Sequence, residues 1–279
     1  MLTNGLYVVA TPIGNLSDIS KRAIEILQEA EVIACEDTRV SRKLFSLLGL
    51  PMNKKFITYQ DHNEEDQSQN IIDIINEGKA VALISDAGSP LISDPGYKLV
   101  RKCRESGIFV TSIPGACAVV CALQLSGLPT NRFMFAGFIP NKDKARNDLF
   151  NELKNIDTTL IFYETAPRIL KTLEVAKTVF ADRELAVARE LTKIYEEVLS
   201  GSADELIKHF TDNQPKGEFV LMVAPPEKNI DTPENIEEVL AQKLTQTSLK
   251  SAVKEVCEEY GLNKSQVYSL ALRLKDEQQ

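Results

Sequence analysis

The chain has 279 residues, of which 43% are hydrophobic and 26% charged, and its formal net charge is −8 at pH 7. This composition is typical of a soluble globular protein and excludes the disordered classes, while the length favours two compact domains with or without a small appendage. The acidic balance argues against a protein that wraps nucleic acid non-specifically, although it allows a local basic face.

The first part of the chain alternates apolar runs typical of strands with amphipathic runs typical of helices. The predicted strands are 6–10, 32–35, 56–59, 81–85 and 108–113. The predicted helices between them are 20–30, 41–48, 67–77 and 97–106. This alternation predicts a mostly parallel sheet covered by helices.

Residues 108–131 carry no charged side chain, which would satisfy a simple length test for a membrane helix. Pro114-Gly115 near the start of this segment and Gly127 and Pro129 near its end break such a helix. The segment therefore predicts a buried strand, a turn and a buried helix over 116–126, and we expect no membrane association.

A second set of elements follows the buried helix. The predicted strands are 133–137, 160–163, 185–189, 195–199 and 219–223. The predicted helices are 144–154, 169–180 and one that begins at a Ser202–Glu205 capping box. Because strands 185–189 and 195–199 are close enough along the chain to form a hairpin, this domain is predicted to have a mixed sheet.

The last part of the chain begins with a predicted linker at 224–229. Apolar residues at helical spacing over 249–260 and 267–274 flank a predicted turn at Gly261, a helix-turn-helix pattern. A nucleic-acid reader and a small bundle that packs on its neighbours are equally good interpretations, because acidic residues are plentiful here. The predicted domains are an α/β domain over 1–115, a mixed α/β domain over 116–226 and a helical appendage over 227–279.

The five cysteines are an odd number, in a chain without a basic and then apolar leader. This pattern predicts reduced thiols in the cytoplasm. Cys117 and Cys121 are one helical turn apart, but a closed structural zinc site needs four ligands and the two histidines are far apart. We expect core thiols and no metal.

Three loops follow predicted strands, are rich in glycine and proline, and carry few large side chains: 11–15, 86–96 and 114–117. At the carboxyl ends of parallel strands, such loops let a ligand approach the backbone closely. One such loop alone is more often a plain strand-to-helix turn. Together the three predict a ligand site, although the first lacks the Gly-x-Gly-x-x-Gly of dinucleotide-binding proteins.

Several long sequence motifs occur in a fixed order along the chain: ATPIGNLSDIS, ACEDTRVSRKLFSLLG, ISDAGSPLISDPG, IPGACAVVCALQLSGLPTNRFMFAGF, FYETAPRI and ARELTKIYEEVLSG. Over about residues 5–225 they resemble the tetrapyrrole methylase superfamily. Glu36-Asp37-Thr38-Arg39 and Ser85-Asp86-Ala87-Gly88-Ser89-Pro90 resemble the branch that acts on ribosomal RNA. Members that methylate tetrapyrroles typically carry Gly-x-Gly-x-Gly-Asp in the first loop, where this chain has Pro12-Ile-Gly-Asn.

The resemblance implies two α/β domains that hold S-adenosylmethionine in the cleft between them. It implies 2′-O-methylation of a cytidine ribose in 16S ribosomal RNA, with that RNA or the small ribosomal subunit as partner, and a homodimer. The first loop would border both the cofactor and the acceptor. The implied cofactor contacts are Pro12, Gly14, Asp86, Ala87, Gly88, Ser89, Pro90, Gly115, Ala116, Cys117, Phe162 and Tyr163.

A ribose hydroxyl is a poor nucleophile, so a carboxylate that accepts its proton would help the implied reaction. Asp37 is the first candidate, because it ends an apolar strand and precedes Arg39 at the expected mouth of the cleft. Glu164 is the second candidate. A purely structural Asp37–Arg39 pair is an equally good interpretation.

Two basic groups follow strand ends, and Arg168 lies near a third. They are Arg39, Arg42 and Lys43 in the first group, and Lys142, Lys144 and Arg146 in the second. Such groups are often only solvated surface, but their positions favour contacts with RNA phosphates.

Two other functions share part of this pattern. A methylase of a tetrapyrrole-like small molecule would have a first loop richer in glycine and no reason for basic residues after it. A non-enzymatic ribosome-binding factor would bind RNA without transferring a methyl group, and its cleft would be too blocked to take the cofactor.

Overall fold

The computed structural model describes residues 2–226, 236–260, 262 and 264–276. The chain forms two compact units, Met1–Pro226 and Glu227–Gln279. Gly261, where a turn was predicted, and residues 227–229 of the predicted linker lie outside the described residues. The larger unit contains two sheets. The predicted division of this unit into domains 1–115 and 116–226 stays a proposal.

The first half of the larger unit is a parallel sheet with helices on its faces. Its strands are β1 (Gly5–Val9), β2 (Val32–Cys35), β3 (Lys55–Thr58), β4 (Ala80–Ile84) and β5 (Val110–Ile113). Its helices are α1 (Lys21–Glu29), α2 (Thr38–Leu47), α3 (Glu64–Asn76) and α4 (Tyr97–Glu105). All strand pairs in the order β3-β2-β4-β1-β5 are parallel, so their carboxyl ends share one edge.

Burial explains why these strands read as continuous apolar runs. Every residue of β2 and β4 is buried, because helices cover both faces of a parallel sheet. One face packs around Leu27, Ile33 and Phe45, and the other around Ile71 and Leu83. Helix α2 begins at Thr38, three residues before the predicted start, because the Asp37 side chain accepts a hydrogen bond from Arg39 N and caps the helix.

The second half of the larger unit is built on a mixed sheet. Its elements are α5 (Ala118–Leu125), β6 (Phe133–Phe138), α6 (Asp143–Leu153), β7 (Thr159–Thr165), α7 (Ile169–Phe180), β8 (Leu185–Arg189), β9 (Glu197–Gly201), α8 (Ala203–Asp212) and β10 (Glu218–Val223). In the order β6-β7-β10-β8-β9 only β6 and β7 pair in parallel. The predicted mixed sheet is confirmed.

The hairpin of β8 and β9 and the capping box of α8 are also confirmed. Strand β9 begins two residues later than predicted. The intervening residues form a loop in which Glu190 and Thr192 have φ of 49° and 65°, a left-handed conformation that interrupts the pairing of an extended strand.

The smaller unit is helical. Its helices are α9 (Ile236–Gln246), α10 (Leu249–Tyr260) and α11 (Lys264–Asp276). They enclose a core of their own around Leu240, Val253, Val256, Val267 and Ala271. In the described part of the chain, no helix is long and apolar enough to cross a membrane.

Candidate functional site

The three glycine- and proline-rich loops lie side by side at the carboxyl ends of β1, β4 and β5. Thr11 N donates a hydrogen bond to Gly88 O at 2.8 Å, and Gly88 N donates to Thr11 O at 3.1 Å. The Ser89 hydroxyl donates to Ala116 O at 3.1 Å. The loops therefore form one connected rim along the carboxyl edge of the first sheet.

The middle loop, residues 86–96, has an unusual backbone. Gly88 has φ of 82°, and the non-glycine residues Leu91 and Ser93 have φ of 71° and 67°. Left-handed backbone costs a non-glycine residue roughly 1–3 kcal/mol, and such residues persist mainly where the surroundings hold them and where function requires the shape. The backbone of this loop therefore supports the prediction that it borders a ligand site.

A buried carboxylate anchors the far end of this loop. Glu64 Oε1 accepts hydrogen bonds from Gly96 N at 3.2 Å and Lys98 N at 3.3 Å. Lys98 Nζ lies 3.3 Å from the other carboxylate oxygen. A carboxylate at the first turn of α4 satisfies free backbone N–H groups and interacts favourably with the helix dipole. The loop is therefore tied to α3 as well as to its own strand.

A cavity of about 360 Å³ lies between this rim and the second sheet, a size within the usual range for small-ligand sites. From the first half it is lined by Ile13, Glu36, residues 86–89 and residues 92–94. From the second half it is lined by Cys117, Ala118, Phe138, residues 163–165, Ala188, Leu191 and residues 218–220. One wall is apolar, and carboxylates border the other.

The first loop also joins the two halves. Asn15 N donates to Thr192 Oγ1 at 3.1 Å. A Cβ atom at Gly14 would lie 2.5 Å from Lys193 Cγ and 2.9 Å from Thr192 Oγ1, so only glycine permits this approach. Of the first loop, the cavity lining includes Ile13 rather than the predicted Pro12 and Gly14.

Three carboxylates give one end of the cavity its negative charge. Burial, with a smaller contribution from the nearby charges of Asp86 and Asp61, raises the pKa of Asp94 to about 6, although a hydrogen bond from Ser85 opposes the rise. Burial likewise raises the pKa values of Glu36 and Asp86. Of the three, Asp86 has a cation, Arg39, among the causes that act on its pKa. Three carboxylates at one end still favour a positively charged ligand.

Asp37, our first candidate for the proton acceptor, is engaged elsewhere. Arg39 Nη2 lies 2.6 Å from Asp37 Oδ2, and Arg39 Nε and Arg39 N donate to Asp37 Oδ1 at 3.1 and 2.8 Å. These hydrogen bonds lower the pKa of Asp37 to about 2, and its side chain is not part of the cavity lining. The Asp37–Arg39 pair thus caps α2, and the role of Asp37 as proton acceptor stays a prediction.

Glu164, the second candidate, borders the cavity, but both of its carboxylate oxygens already have partners. Thr172 Oγ1 donates to Oε2 at 2.6 Å, Thr165 N donates to Oε1 at 2.8 Å, and Arg168 Nη2 lies 2.5 Å from Oε1. These contacts hold the carboxylate in place at the edge of the cavity. The role of Glu164 as the base stays a prediction.

The aromatic pair of β7 divides between two environments. Tyr163 lines the cavity and makes edge contacts with the rings of Phe135 and Phe138. Phe162 is fully buried on the opposite face, with its ring centroid 5.3 Å from that of Phe150. Neighbouring residues of a strand point to opposite faces. The prediction that Phe162 contacts the cofactor is therefore wrong.

The predicted basic residues also divide. Arg39, Arg42 and Lys43 are exposed along α2, and Lys142 and Lys144 are exposed at the start of α6. The Arg42 guanidinium lies 4.4 Å from the centre of the Phe56 ring, an arrangement that orients it by cation–π attraction.

Two basic residues do not face solvent freely. Arg146 is 2% exposed and donates to Asp143 Oδ1 and Asn141 O. It stabilises the start of α6, so its predicted contact with RNA is corrected. Arg168 is paired with Glu164 and only partly exposed.

Several lining residues were missed by the sequence reasoning. Glu36 and Asp94 lie inside motifs that we quoted, but only Asp37 and Asp86 of those carboxylates were selected. Leu191 lies in the motif ARELTKIYEEVLSG, but nothing in that motif indicated that its side chain reaches the cavity, because its position depends on the loop after β8. Of the predicted cofactor residues, Asp86, Ala87, Gly88, Ser89, Cys117 and Tyr163 line the cavity, and Pro90, Gly115 and Ala116 lie in the loops beside it. Within the described residues, no group of three or more His, Cys, Asp or Glu side chains could hold a metal ion.

Comparison with known proteins supports the fold. The sequence model of the family described as Tetrapyrrole (Corrin/Porphyrin) Methylases matches residues 5–207, and that of the RsmI C-terminal HTH domain matches residues 230–275. A crystal structure of diphthine synthase has a TM-score of 0.62 at 16% identity, covering 78% of this chain and 89% of that one. The methyltransferase CobJ has a TM-score of 0.60 at 16% identity, covering 80% and 94%. The chain thus has the tetrapyrrole methylase fold, which confirms the predicted fold class.

Curated relatives narrow the assignment. Ribosomal RNA small subunit methyltransferase I of Rickettsia prowazekii is 43% identical over 99% of both chains. The protein of that name from Erythrobacter litoralis is 49% identical over 98% of this chain and 96% of its own. The chain belongs to the ribosomal RNA small subunit methyltransferase I family.

Proposed function

We propose that the protein transfers a methyl group from S-adenosylmethionine to the 2′-hydroxyl of a cytidine ribose in 16S ribosomal RNA. The observation that carries this proposal is the cavity, which combines an apolar wall with a carboxylate end beside three backbone-rich loops. The names of the family's curated members support RNA as the acceptor. A ribosomal substrate also implies a cytoplasmic location, and the implied homodimer remains a prediction.

The cavity residues fit this cofactor. Glu36, Asp86 and Asp94 would face its positive charges, since opposite charges attract most strongly where water is excluded. Tyr163 and Leu191 would cover its adenine with apolar surface. When bound, S-adenosylmethionine supplies an electrophilic methyl group on a positively charged sulfur.

The protein's own contribution would be mainly alignment. The loops fixed by Glu64 and by the Thr11–Gly88 backbone pair would hold the reacting atoms in line while excluding water, and such positioning can provide much of a rate enhancement. The exposed basic side chains of α2 and of the start of α6 would contact the phosphates of the RNA chain.

A labelling experiment tests the proposal against the alternatives. The protein is incubated with tritiated S-adenosylmethionine and, separately, free 16S RNA, assembled small subunits or uroporphyrinogen. We expect label in RNA, at a cytidine whose 3′ linkage resists alkali because the 2′-oxygen is blocked. Label in uroporphyrinogen would indicate a small-molecule methylase. RNA binding without label on any acceptor would indicate a ribosome-binding factor.

The basic face of α2 gives a separate prediction. Replacing Arg39 and Arg42 by glutamine should weaken RNA binding and reduce its dependence on salt, because each lost phosphate contact lowers the slope of log K against log salt by about 0.7–0.9. Affinity for S-adenosylmethionine should stay unchanged. Filter binding at several salt concentrations measures the slope.

A matched control removes two arginines from α4, Arg101 and Arg104. Helix α4 runs back from the carboxyl edge of the sheet, so its last turn lies at the opposite edge. This control should leave the salt slope as in the wild type. Equal slopes for the α2 variant and the wild type would make Arg39 and Arg42 solvated surface only.

A further inference from the structure

The cavity contains carboxylates other than the two that the sequence favoured. Glu218 lies 2.9 Å from Lys193 Nζ, so its charge is already paired. Asp86 Oδ1 accepts a hydrogen bond from Asp37 N at 3.1 Å. Glu36 and Asp94 remain as carboxylates of the lining that form no ion pair with another described residue. The acceptor for a proton should be sought between these two.

Asp94 is the better placed of the two. It follows Ser93, whose left-handed backbone turns the chain at the cavity, and it precedes the turn at Gly96 that Glu64 anchors. It lines the same cavity as Tyr163 of the second half, so it lies where the acidic end of the first half meets the second half. Glu36 follows β2 and has no comparable anchor among its described contacts.

Resting on the proposed function, we propose that Asp94 accepts the proton that the ribose 2′-hydroxyl loses during methyl transfer. The 2′-oxygen forms its bond to the methyl carbon as the carbon–sulfur bond breaks, and the electron pair of that bond goes to sulfur. The hydroxyl proton passes to the Asp94 carboxylate and from there to solvent.

The groups around Asp94 determine its response to pH. Burial and the negative charges of Asp86 and Asp61 raise its pKa, and the Ser85 hydroxyl opposes this by donating a hydrogen bond. A bound cation would lower the pKa, because it favours the ionised form. Since the acceptor must be ionised, the rate of the chemical step should rise with pH through the pKa of Asp94 in the complex, which lies below the value of about 6 in the free protein.

The test is Asp94→Asn, measured under single-turnover conditions with saturating S-adenosylmethionine and RNA between pH 5 and 8. General-base catalysis typically contributes about 10²–10⁴-fold, so we expect a loss of that size at pH 7.5 and a flat pH profile. Asp94→Glu, which keeps a carboxylate, should recover part of the rate and the rise with pH. The control Asp73→Asn, at an exposed residue of α3 outside the lining, should keep the wild-type rate at pH 7.5.

A second readout does not depend on activity. Calorimetry of S-adenosylmethionine binding at pH 6, in two buffers of different ionisation enthalpy, counts the protons released. The wild type should release a fraction of a proton as the cation lowers the Asp94 pKa, and Asp94→Asn should release less while melting at a similar temperature.

The outcomes separate the two proposals. If the wild type labels RNA and Asp94→Asn does so at the wild-type rate, the role of Asp94 is overturned and the proposed function stands. If Asp94→Asn cannot be saturated with S-adenosylmethionine, Asp94 is a cofactor-binding residue and the proposal also fails. If the wild type labels no RNA, the proposed function fails and the role of Asp94 with it, whatever proton release is measured.

Discussion

Replacing Phe162 by alanine is expected to lower the free energy of unfolding of the larger unit by about 3–5 kcal/mol and to leave the affinity for S-adenosylmethionine unchanged. The ring is fully buried and packs against Phe150, in the core on the face of the sheet turned away from the cavity. Removing it leaves a void that close-packed neighbours fill only partly. The loss should therefore appear in stability and not in binding.

The neighbouring Tyr163 provides the matched comparison. Tyr163→Ala removes a ring of similar size that lines the cavity, so affinity for S-adenosylmethionine should fall. The stability of the larger unit is measured by urea unfolding, with hydrogen exchange in β7 as the probe. Calorimetry measures binding of S-adenosylmethionine. If Phe162→Ala weakens binding as much as Tyr163→Ala does, our assignment of the two faces of β7 is wrong.

Asp86→Ala should weaken the binding of S-adenosylmethionine at least about tenfold, which corresponds to roughly 1.4 kcal/mol. The carboxylate is partly buried at the acidic end of the cavity, where a charge-assisted hydrogen bond to the ligand would be strong. Its removal also frees Asp37 N, which now donates to Asp86 Oδ1. The exposed residue Asp61 serves as control, since Asp61→Ala removes the same charge outside the lining.

This affinity should also depend on pH in a fixed direction. Burial raises the pKa values of Asp86 and Asp94, so protonation on acidification removes negative charge from the site. Binding of the cationic cofactor should therefore weaken as the pH falls toward and below 6. Calorimetry gives both results, and an unchanged dissociation constant for Asp86→Ala would eliminate its role in binding.

The sequence predicted the elements well because their signals are local. Continuous apolar runs identified β2 and β8 with their observed ends, and the capping box identified the start of α8. The shift of α2 came from one side chain, Asp37, which caps the helix. The ends of elements depend on such single contacts, whereas their existence depends on the whole pattern.

The site was predicted less completely, because its details depend on contacts between distant residues. Side chains alternate between the two faces of a strand, and this alternation along β7 would have predicted that Phe162 and Tyr163 lie on opposite faces of the sheet. In contrast, the burial of Arg146 depends on how α6 packs. The hydrogen bonding of Glu164 depends on Thr172, which lies in the following helix, α7. Asp94 was within a motif that the sequence analysis singled out, but its environment depends on how the loop turns back toward Asp86 and on Asp61, which lies just before α3.

The bond between Asn15 N and Thr192 Oγ1 has a consequence for biosynthesis. The two residues are 177 positions apart in the chain, while the first sheet is complete once β5 ends at Ile113. Domains fold as units from the N-terminus while the ribosome is still translating. A nascent chain can thus form its first sheet and its loops early, but the first loop lacks its partner until residue 192 has left the ribosome. The cavity is therefore a late product of synthesis, and no nascent chain that stops before this residue can hold the complete site.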